Sequence, residues 1–260
     1  MTDTILVKIG GSTLGSHDTT LADVAELARR GLQPVVVHGG GAMISDWLKR
    51  LDVPTRFEKG LRVTDAASLD VVVGVLAGVV NKQLVKSLQA LGVNAVGLTG
   101  ADGGLLRCRI ADEALGFVGE IEIVDATYLK QLVEQGAVPV IAPIGLLYKN
   151  ARPRDQLLNI NADTAAGAIA AALGASWLVF MTDVPGVKDE GDVIVELDAG
   201  RARRLMEAGV IEGGMIPKVE ACLHAAAAGC RSVIVDGRQQ HALLGLIEGG
   251  SAGTLVGASK

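Results

Sequence analysis

The chain has 260 residues, of which 49% are hydrophobic and 20% charged, and its formal net charge is −5. This composition excludes a disordered chain and argues against a protein that coats nucleic acid or an anionic membrane. The 34 glycines accompany only 7 prolines, which excludes collagen-like and proline-rich repeats. The three cysteines form no CxxC pair, so the sequence predicts a reducing, cytoplasmic location.

Short, continuously apolar runs recur along the chain and predict strands that are buried on both faces. The runs are 5–9, 35–37, 95–98, 138–141, 177–180 and 232–235. Between them lie helix-length stretches, of which the clearest are 21–30, 66–91, 128–134 and 219–228. This alternation predicts an α/β fold, a three-layer αβα sandwich with an open, mostly parallel central sheet.

Three segments depart from this alternation. Residues 53–63 and 105–124 are typical of antiparallel hairpins, which we expect on the rim of the sheet. Residues 164–182 carry no charge and are nearly long enough to span a bilayer. Because this segment is rich in Ala and Gly before it becomes strongly apolar, the sequence predicts a buried helix and then a buried strand, with no membrane span.

Two glycine clusters each follow a predicted strand and precede a predicted helix. Residues 8–11 read KIGG, and residues 38–41 read HGGG. Glycines at strand ends let backbone N–H groups approach phosphate oxygens, and Lys8 would add a positive charge. A simple tight turn explains the first cluster equally well. For His38, a hydrogen bond within the turn is favoured over a role as general base.

Arg62 lies in the stretch GLRVTD at residues 60–65, at the end of a predicted hairpin. An arginine can hold a carboxylate with two parallel hydrogen bonds. On spacing alone, however, a solvated surface arginine is the favoured interpretation.

Three polar residues, Asn159, Asn161 and Asp163, gather at the start of the Ala-rich helix. A helix N-cap explains one of them but not all three. Because the positive end of a helix attracts anionic groups, the cluster also favours a ligand site.

Two later loops complete the set of motifs. Residues 182–187, TDVPGV, follow a predicted strand and form a turn at which a nucleotide could bind. Lys218 stands in the first turn of the helix that follows Gly213 and Gly214. The helix dipole disfavours a cation there by about 0.3 kcal/mol or more, so we expect an anion nearby to balance it.

In this order, the motifs KIGG, HGGG, GLRVT, NINAD, TDVPG and GGMIPK resemble the amino acid kinase family, and within it the acetylglutamate kinases. The resemblance covers essentially the whole chain. It implies ATP-dependent phosphorylation of the γ-carboxylate of N-acetyl-L-glutamate, a step of arginine biosynthesis, with Mg²⁺ held mainly by the ATP phosphates. It further implies one domain, 1–260, in which residues 1–155 bind acetylglutamate and dimerise and residues 156–260 bind ATP.

The resemblance also implies roles for individual residues. Lys8 and Lys218 would neutralise charge on the transferred phosphoryl group, and Asp163 would position both lysines. The backbone N–H groups of Gly11 and Gly40 would contact that phosphoryl group. No general base is required, because the attacking carboxylate is already ionised at neutral pH.

Two binding sites follow from the same resemblance. The acetylglutamate site would be formed by Gly40, Gly41, Arg62 and Asn159, with Arg62 on the α-carboxylate. The ATP site would be formed by Asp183, Val184, Gly186, Val187, Lys188, Val210, Ile211, Glu212 and Lys218.

Three alternatives remain beside this interpretation. One is a kinase for carrier-protein-linked α-aminoadipate in lysine biosynthesis, although the acidic chain argues against an acidic carrier. Another is a sensor without catalysis, although Lys8, Lys218 and Asp163 are all present. A nicotinamide dehydrogenase is disfavoured, because GxGxxG is absent from the sequence.

Arginine-inhibited members of the resembling group carry an extra helix ahead of the first strand, for which Lys8 leaves no room in this sequence. We therefore expect a homodimer that arginine does not inhibit. The segment 146–156 contains Lys149, Arg152 and Arg154, and the expected structure there is a solvated hairpin tip.

Overall fold

The computed structural model describes residues 3–10, 19–58, 61–150 and 152–257. The strands of these ranges are β1 Thr4–Ile9, β2 Gln33–His38, β3 Phe57–Glu58, β4 Leu61–Arg62, β5 Ala95–Thr99, β6 Leu106–Ile110, β7 Gly119–Val124, β8 Val138–Ala142, β9 Ile144–Lys149, β10 Arg152–Asn159, β11 Trp177–Thr182, β12 Lys188–Asp189, β13 Asp192–Val193, β14 Glu196–Leu197, β15 Arg231–Asp236 and β16 Thr254–Val256.

The α-helices of the same ranges are α1 Thr20–Arg29, α2 Gly41–Arg50, α3 Ala66–Val73, α4 Asn81–Ala90, α5 Thr127–Glu134, α6 Ala162–Leu173, α7 Ala199–Glu207, α8 Met215–Ala227 and α9 Ala242–Ile247. A π-helical segment, Gly74–Val80, joins α3 to α4, so the predicted long helix is continuous over Ala66–Ala90. Short 3₁₀ turns occupy Asp102–Gly104 and Glu113–Leu115.

Eight strands form the central sheet in the order β14-β16-β15-β11-β1-β2-β8-β5. Neighbouring strands run parallel, except that β15 and β16 run antiparallel. The predicted α/β fold with a mostly parallel central sheet is confirmed. The first strand lies in the interior of the sheet, between β11 and β2, so the loop that follows it lies near the loops after both neighbours.

The continuous apolarity of the strands has a simple cause, which β1 illustrates. Its side chains alternate between two hydrophobic cores, one on each face of the sheet. Ile5, Val7 and Ile9 pack with α1, α2 and the long helix 66–90, whereas Leu6 packs with α6 and α8. Complete burial of an Ile or Leu side chain stabilises a fold by about 1.5–3 kcal/mol, so both faces select apolar residues.

The hairpin prediction was right about strand pairing and partly wrong about location. Strands β3 and β4 pair antiparallel, as do β6 and β7. However, β6 and β7 belong to a separate four-stranded sheet in the order β10-β9-β6-β7, not to the rim of the central sheet. Alternating polarity indicates one buried face, but it does not say which strand will be the partner.

The apolar segment 164–182 forms α6 and β11, as predicted. A different helix, Ala66–Ala90, is long and apolar enough by length and composition to cross a membrane, and 44% of its most apolar window is buried. Its inward side chains, among them Val72, Leu76 and Leu84, belong to the hydrophobic core below the central sheet. A core helix of a water-soluble protein satisfies the same criteria.

Candidate active site

A pocket of about 290 Å³ lies where the loops after β1 and β2 meet the start of α6. Its lining comes from seven parts of the chain and combines polar and apolar groups. The lining residues are Lys8, Gly39, Gly40, Gly41, Ile44, Phe57, Leu61, Arg62, Leu76, Val118, Pro143, Asn159, Ile160, Asn161, Ala162 and Asp163. The carboxyl ends of parallel strands are the usual ligand-binding edge of an open α/β sheet.

At one wall of this pocket, Asp163 is shared by Lys8, which also lines the pocket, and by Lys218, which contacts Asp163 without lining the pocket. Lys8 Nζ lies 2.5 Å from Asp163 Oδ1, and Lys218 Nζ lies 3.0 Å from Asp163 Oδ2. The side chains of Lys8 and Asp163 are each only 8% exposed. Two cations on one anion leave a net positive charge at the pocket wall, which suits a phosphate group.

Asp163 is fixed by its place in the first turn of α6. The side chain of Asn161 caps this helix, because its Oδ1 accepts hydrogen bonds from the Asp163 and Thr164 N–H groups at 2.9 and 3.0 Å. Burial alone would raise the pKa of Asp163, but the charges and hydrogen bonds of Lys8 and Lys218 outweigh it and leave the pKa below its ordinary value. The stabilisation from this carboxylate is therefore present above its unfolded-state pKa and is lost as the pH falls through the folded-state pKa.

Lys218 confirms the expectation that an anion balances its charge. It lies in the first turn of α8, where the helix dipole disfavours a cation. The Asp163 carboxylate supplies the balancing charge, and the Lys218 ammonium also donates to the Gly214 carbonyl oxygen at 2.9 Å.

The glycine loop after β2 presents backbone donors. Gly39 N–H donates to the Ile9 carbonyl at 3.0 Å, which ties this loop to the end of β1. Gly40 precedes the first turn of α2, and a Cβ added to it would lie 2.7 Å from Leu76 Cδ2. Within the described ranges, the N–H groups of Gly40 and Gly41 meet no protein acceptor. Gly11, the other predicted backbone donor, lies outside the described residues.

Arg62 is buried, so its interpretation as a solvated surface arginine was wrong. Its Nη2 donates to Gly41 O at 3.2 Å and to Ser45 Oγ at 2.8 Å, and its guanidinium lies 4.7 Å from the centre of the Phe57 ring. Its Nη1 is buried and meets no acceptor in the described part of the chain. Burial lowers the pKa of Arg62, yet a guanidinium stays charged at neutral pH, so Nη1 is a buried donor suited to an anionic ligand.

A chain of two hydrogen bonds connects Asn159 to Arg62. Its Nδ2 donates to Thr64 Oγ1 at 3.1 Å, and Thr64 Oγ1 donates to the Arg62 carbonyl at 3.0 Å. This chain links the end of β10 to the residues after β4. Asn159 and Arg62 therefore line one pocket although they are far apart in sequence.

His38 is completely buried at the end of β2. Its Nδ1 lies 2.9 Å from Gly39 O and its Nε2 lies 3.2 Å from Asn81 Nδ2. Burial lowers its pKa from 6.5 to about 4. The predicted hydrogen bond within the turn is confirmed. The neutral ring contributes stability fully above pH 6.5, and this contribution declines as the pH falls towards 4.

Apart from Lys218 in α8, the predicted nucleotide residues lie between the end of β11 and the start of β12 or after α7, and none of the predicted set lines the pocket described above. Asp183, Lys188 and Glu212 are exposed, and Val210 is 42% exposed. Val184 is half-buried, Gly186 is buried, and Gly186 has a φ of +148°. Val187 and Ile211 have side chains in the hydrophobic core, and the Val187 N–H donates to Thr254 Oγ1 at 2.8 Å.

The sequence interpretation overlooked two residues that line the pocket, Phe57 and Leu76, and one that binds Arg62, Ser45. Ser45 lies one helical turn after Gly41, so helical spacing could have placed it beside the glycine loop. Phe57 precedes Arg62 in the hairpin, and their pairing across β3 and β4 brings the ring to the guanidinium. No local signal marks Leu76, because it reaches Gly40 from the π-helical segment.

Comparisons with known proteins show which family the chain belongs to. A model of the Amino acid kinase family matches residues 3–236. An acetylglutamate kinase of Dehalococcoides mccartyi is 43% identical over 255 residues, which are 97% of this chain and 93% of that protein. The crystal structure of smu.665 from Streptococcus mutans UA159 has a TM-score of 0.84 at 29% identity and covers 100% of both chains.

A more distant structure shares the fold. Carbamate kinase from Giardia has a TM-score of 0.72 at 14% identity and covers 98% of both chains. The lysine pair on Asp163, the glycine loop after β2 and the match over residues 3–236 lead to one conclusion. The chain belongs to the amino acid kinase family.

Proposed function

We propose that this chain transfers the γ-phosphoryl group of ATP to the γ-carboxylate of N-acetyl-L-glutamate. One observation carries the proposal: a buried carboxylate in the pocket wall binds two lysines, and the same pocket holds a buried guanidinium N–H that meets no acceptor among the described residues. The pocket thus offers charge both for a phosphoryl group and for a substrate carboxylate. Relatives named acetylglutamate kinase cover nearly the whole chain, which supports this choice of substrate.

The reaction requires alignment and charge neutralisation, which the described residues can supply. The substrate γ-carboxylate forms the new O–P bond while the bond between the γ-phosphorus and the ADP oxygen breaks. Lys8 and Lys218 neutralise the charge that spreads over the phosphoryl oxygens, and Asp163 holds both lysines in place. The N–H of Gly40, together with that of Gly11, completes the set of donors.

The other end of the pocket suits the acetylated amino acid. Arg62 binds the α-carboxylate through Nη1, and Asn159 and Gly41 contribute polar contacts nearby. Apolar walls from Ile44, Leu61 and Leu76 would pack against the methylene and acetyl groups. The division of the chain then assigns acetylglutamate mainly to residues 1–155.

ATP binds to residues 156–260 in this proposal, on the loops that carry Asp183, Val184, Gly186, Val187, Lys188, Val210, Ile211 and Glu212, with Lys218 at the phosphates. In the described ranges, no group of three His, Cys, Asp or Glu side chains is arranged to hold a metal ion. Asp163 is already shared by two lysines. In this proposal Mg²⁺ is held mainly by the ATP phosphates, whose charge it would screen. We place the reaction in the cytoplasm.

An ATP-dependent hydroxamate assay tests the proposal. Hydroxylamine traps an acyl phosphate, so N-acetyl-L-glutamate, L-glutamate and L-α-aminoadipate can be compared side by side. We expect product with N-acetyl-L-glutamate and little with glutamate, whose free ammonium replaces the neutral acetamide. Absence of the N-acetyl-L-glutamate product would exclude the proposed function.

The exposed cations Arg152 and Arg154 motivate one further arm of this assay. They could attract an acidic carrier protein that presents α-aminoadipate, the alternative substrate class. A carrier-linked substrate that reacts while the free acetylated amino acid does not would favour that alternative.

We further propose that the chain forms a homodimer through the outward face of residues 66–80. Every exposed or half-exposed residue there is uncharged except Asp70. Gly74 and Gly78 leave open space where a Cβ would stand, so a second copy could approach closely. An uncharged surface of this kind is typical of an interface between protein chains.

Gly78→Arg should therefore convert the dimer to a monomer, because it places a charge at the centre of the proposed interface. The monomer fold should survive, since arginine has a higher helix propensity than glycine and meets no neighbour there. Sedimentation velocity or light scattering measures the change. Gly245→Arg, on the exposed part of α9 and also free of neighbours, is the matched control. A dimer that persists in Gly78→Arg would place the interface elsewhere.

A further inference from the structure

The buried pair formed by His38 and Asn81 lies beneath the glycine loop and has no part in the proposed mechanism so far. His38 ends β2, and Asn81 begins α4 directly after the π-helical segment. Both side chains are at most 1% exposed. Burial of such polar groups is costly unless they are hydrogen-bonded, so the partners of each atom constrain how the two side chains are oriented.

The amide of Asn81 has a fixed orientation. Its Nδ2 lies 2.8 Å from Val140 O and 3.3 Å from Leu98 O, and its Oδ1 accepts a hydrogen bond from Lys82 Nζ at 3.1 Å. A flipped amide would set an oxygen against two carbonyl oxygens and a nitrogen against an ammonium group. Asn81 therefore turns its amide nitrogen, not its oxygen, towards Nε2 of His38, and the two N–H hydrogens of this amide are shared among Nε2, Val140 O and Leu98 O.

The orientation of Asn81 determines the tautomer of His38. Because Nε2 faces a donor, it must be the unprotonated acceptor, so the single proton of the neutral ring is on Nδ1. Nδ1–H then donates to the Gly39 carbonyl oxygen at 2.9 Å. Asn81 thus sets the tautomer of His38, and this tautomer provides the hydrogen bond to the Gly39 carbonyl.

That carbonyl belongs to the peptide bond between Gly39 and Gly40. In a planar trans peptide the C=O and N–H bonds point in opposite directions, and the described chain contains no cis peptide. With Gly39 C=O held towards the buried ring, Gly40 N–H is held away from it, and Gly40 lines the pocket. A peptide flanked by two glycines could otherwise rotate at low cost.

We infer that His38 is a positioning residue that, through its Nδ1–H and the Asn81 amide, fixes the direction of the Gly40 N–H towards the transferred phosphoryl group. The inference rests on the proposed function, in which this N–H contacts that group. A preoriented donor needs no reorganisation during the reaction, and this is the origin of its catalytic benefit. A Gly40 N–H that is less firmly oriented should therefore reduce kcat more than it changes KM.

Two amide variants separate this role from simple packing. In His38→Asn the amide nitrogen can stand near the position of Nδ1 and donate to Gly39 O. In His38→Gln the longer side chain carries its amide towards Asn81 and leaves Gly39 O without a donor. We expect kcat of His38→Gln to be at least about 10-fold below that of His38→Asn. Complete loss of one transition-state donor lowers kcat by about 100-fold or more, and a misdirected donor loses part of this benefit.

Packing alone predicts the opposite order, since glutamine fills more of the imidazole volume than asparagine. Equal kcat values, or a faster His38→Gln, would overturn the inference. Thermal unfolding of both variants shows whether they fold, and His224→Gln, an exposed histidine on α8, is the matched control. If the wild-type chain forms no acyl phosphate, the proposed function fails and these rates do not apply.

A second measurement is independent of catalysis. Two-bond ¹⁵N–¹H correlation spectra of the imidazole groups report which ring nitrogen is protonated, and the signal absent from His38→Asn identifies His38. We expect the Nδ1–H tautomer, unchanged between pH 6 and 8, since burial holds the pKa of His38 at about 4. A proton on Nε2 would refute the inference whatever the enzyme phosphorylates.

Discussion

Lys8→Ala and Lys218→Ala should each lower kcat by at least about 100-fold, the effect of removing one charge partner of a transition state. Each lysine contacts a different oxygen of Asp163, so the two ammonium groups occupy separate positions around this carboxylate. We expect KM for N-acetyl-L-glutamate to change little in either variant, because the lysines act on the phosphoryl charge that develops during transfer and not on the acetylated amino acid. Steady-state kinetics in the hydroxamate assay measures both kcat and KM.

Lys49→Ala is the matched control, because Lys49 is exposed at the far end of α2 and contacts no pocket residue. Its kcat should equal that of the wild type. Wild-type kcat in Lys8→Ala or Lys218→Ala would exclude that lysine from charge neutralisation. Thermal unfolding separates a lost charge partner from a lost fold, since Lys8→Ala also leaves the buried Asp163 with one partner.

Arg62→Ala should raise KM for N-acetyl-L-glutamate and lower kcat/KM by about 100-fold, corresponding to about 3 kcal/mol for a buried, charge-assisted contact. The reason is that Nη1 is buried and meets no acceptor among the residues that the structure describes, so a ligand anion gains a contact that water does not provide. KM for ATP should stay within the error of the measurement, because Arg62 lies in the first part of the chain, away from the proposed nucleotide loops.

A substrate analogue makes this prediction specific. N-acetylisoglutamine carries an amide in place of the α-carboxylate and keeps the reacting γ-carboxylate. The wild type should discriminate strongly between the two substrates, and Arg62→Ala should not. Arg56→Ala is the matched control, because Arg56 lies in the same hairpin with a side chain that is 65% exposed. Undiminished discrimination in Arg62→Ala would show that another residue binds the α-carboxylate.

Much of the fold follows from local sequence, since the strands and helices were predictable from apolar runs and their lengths. The strand at 5–9 is one example, because its apolar residues pack into two hydrophobic cores, one on each face of the sheet. The assignment of β6 and β7 to a second sheet was not predictable. Their alternation fixes a buried face, but the partner strand β9 is far along the chain, since Arg107 pairs with Leu146, which is 39 residues later.

The candidate site, like the fold, was predictable from the sequence only in part. The sequence motifs contained Lys8, Asp163 and Lys218, and the dipole of α8 already required an anion near Lys218. That the anion is Asp163, shared with Lys8, depends on the packing of α6 against α8 and β1. Arg62 shows the limit most clearly. Its spacing suggested a solvated residue, and only the hairpin, Phe57 and the start of α2 bury it.

The sequence by itself determined the α/β class, the glycine loops at strand ends and the residue types that a phosphoryl-transfer site requires, because those depend on local periodicity and chemistry. Tertiary structure decided which side chains are partners. Asn81 and His38 are 43 residues apart, and neither shows a local signal for the other. Their contact depends on how the helix 66–90 packs below β2, β5 and β8, which is a property of the whole core.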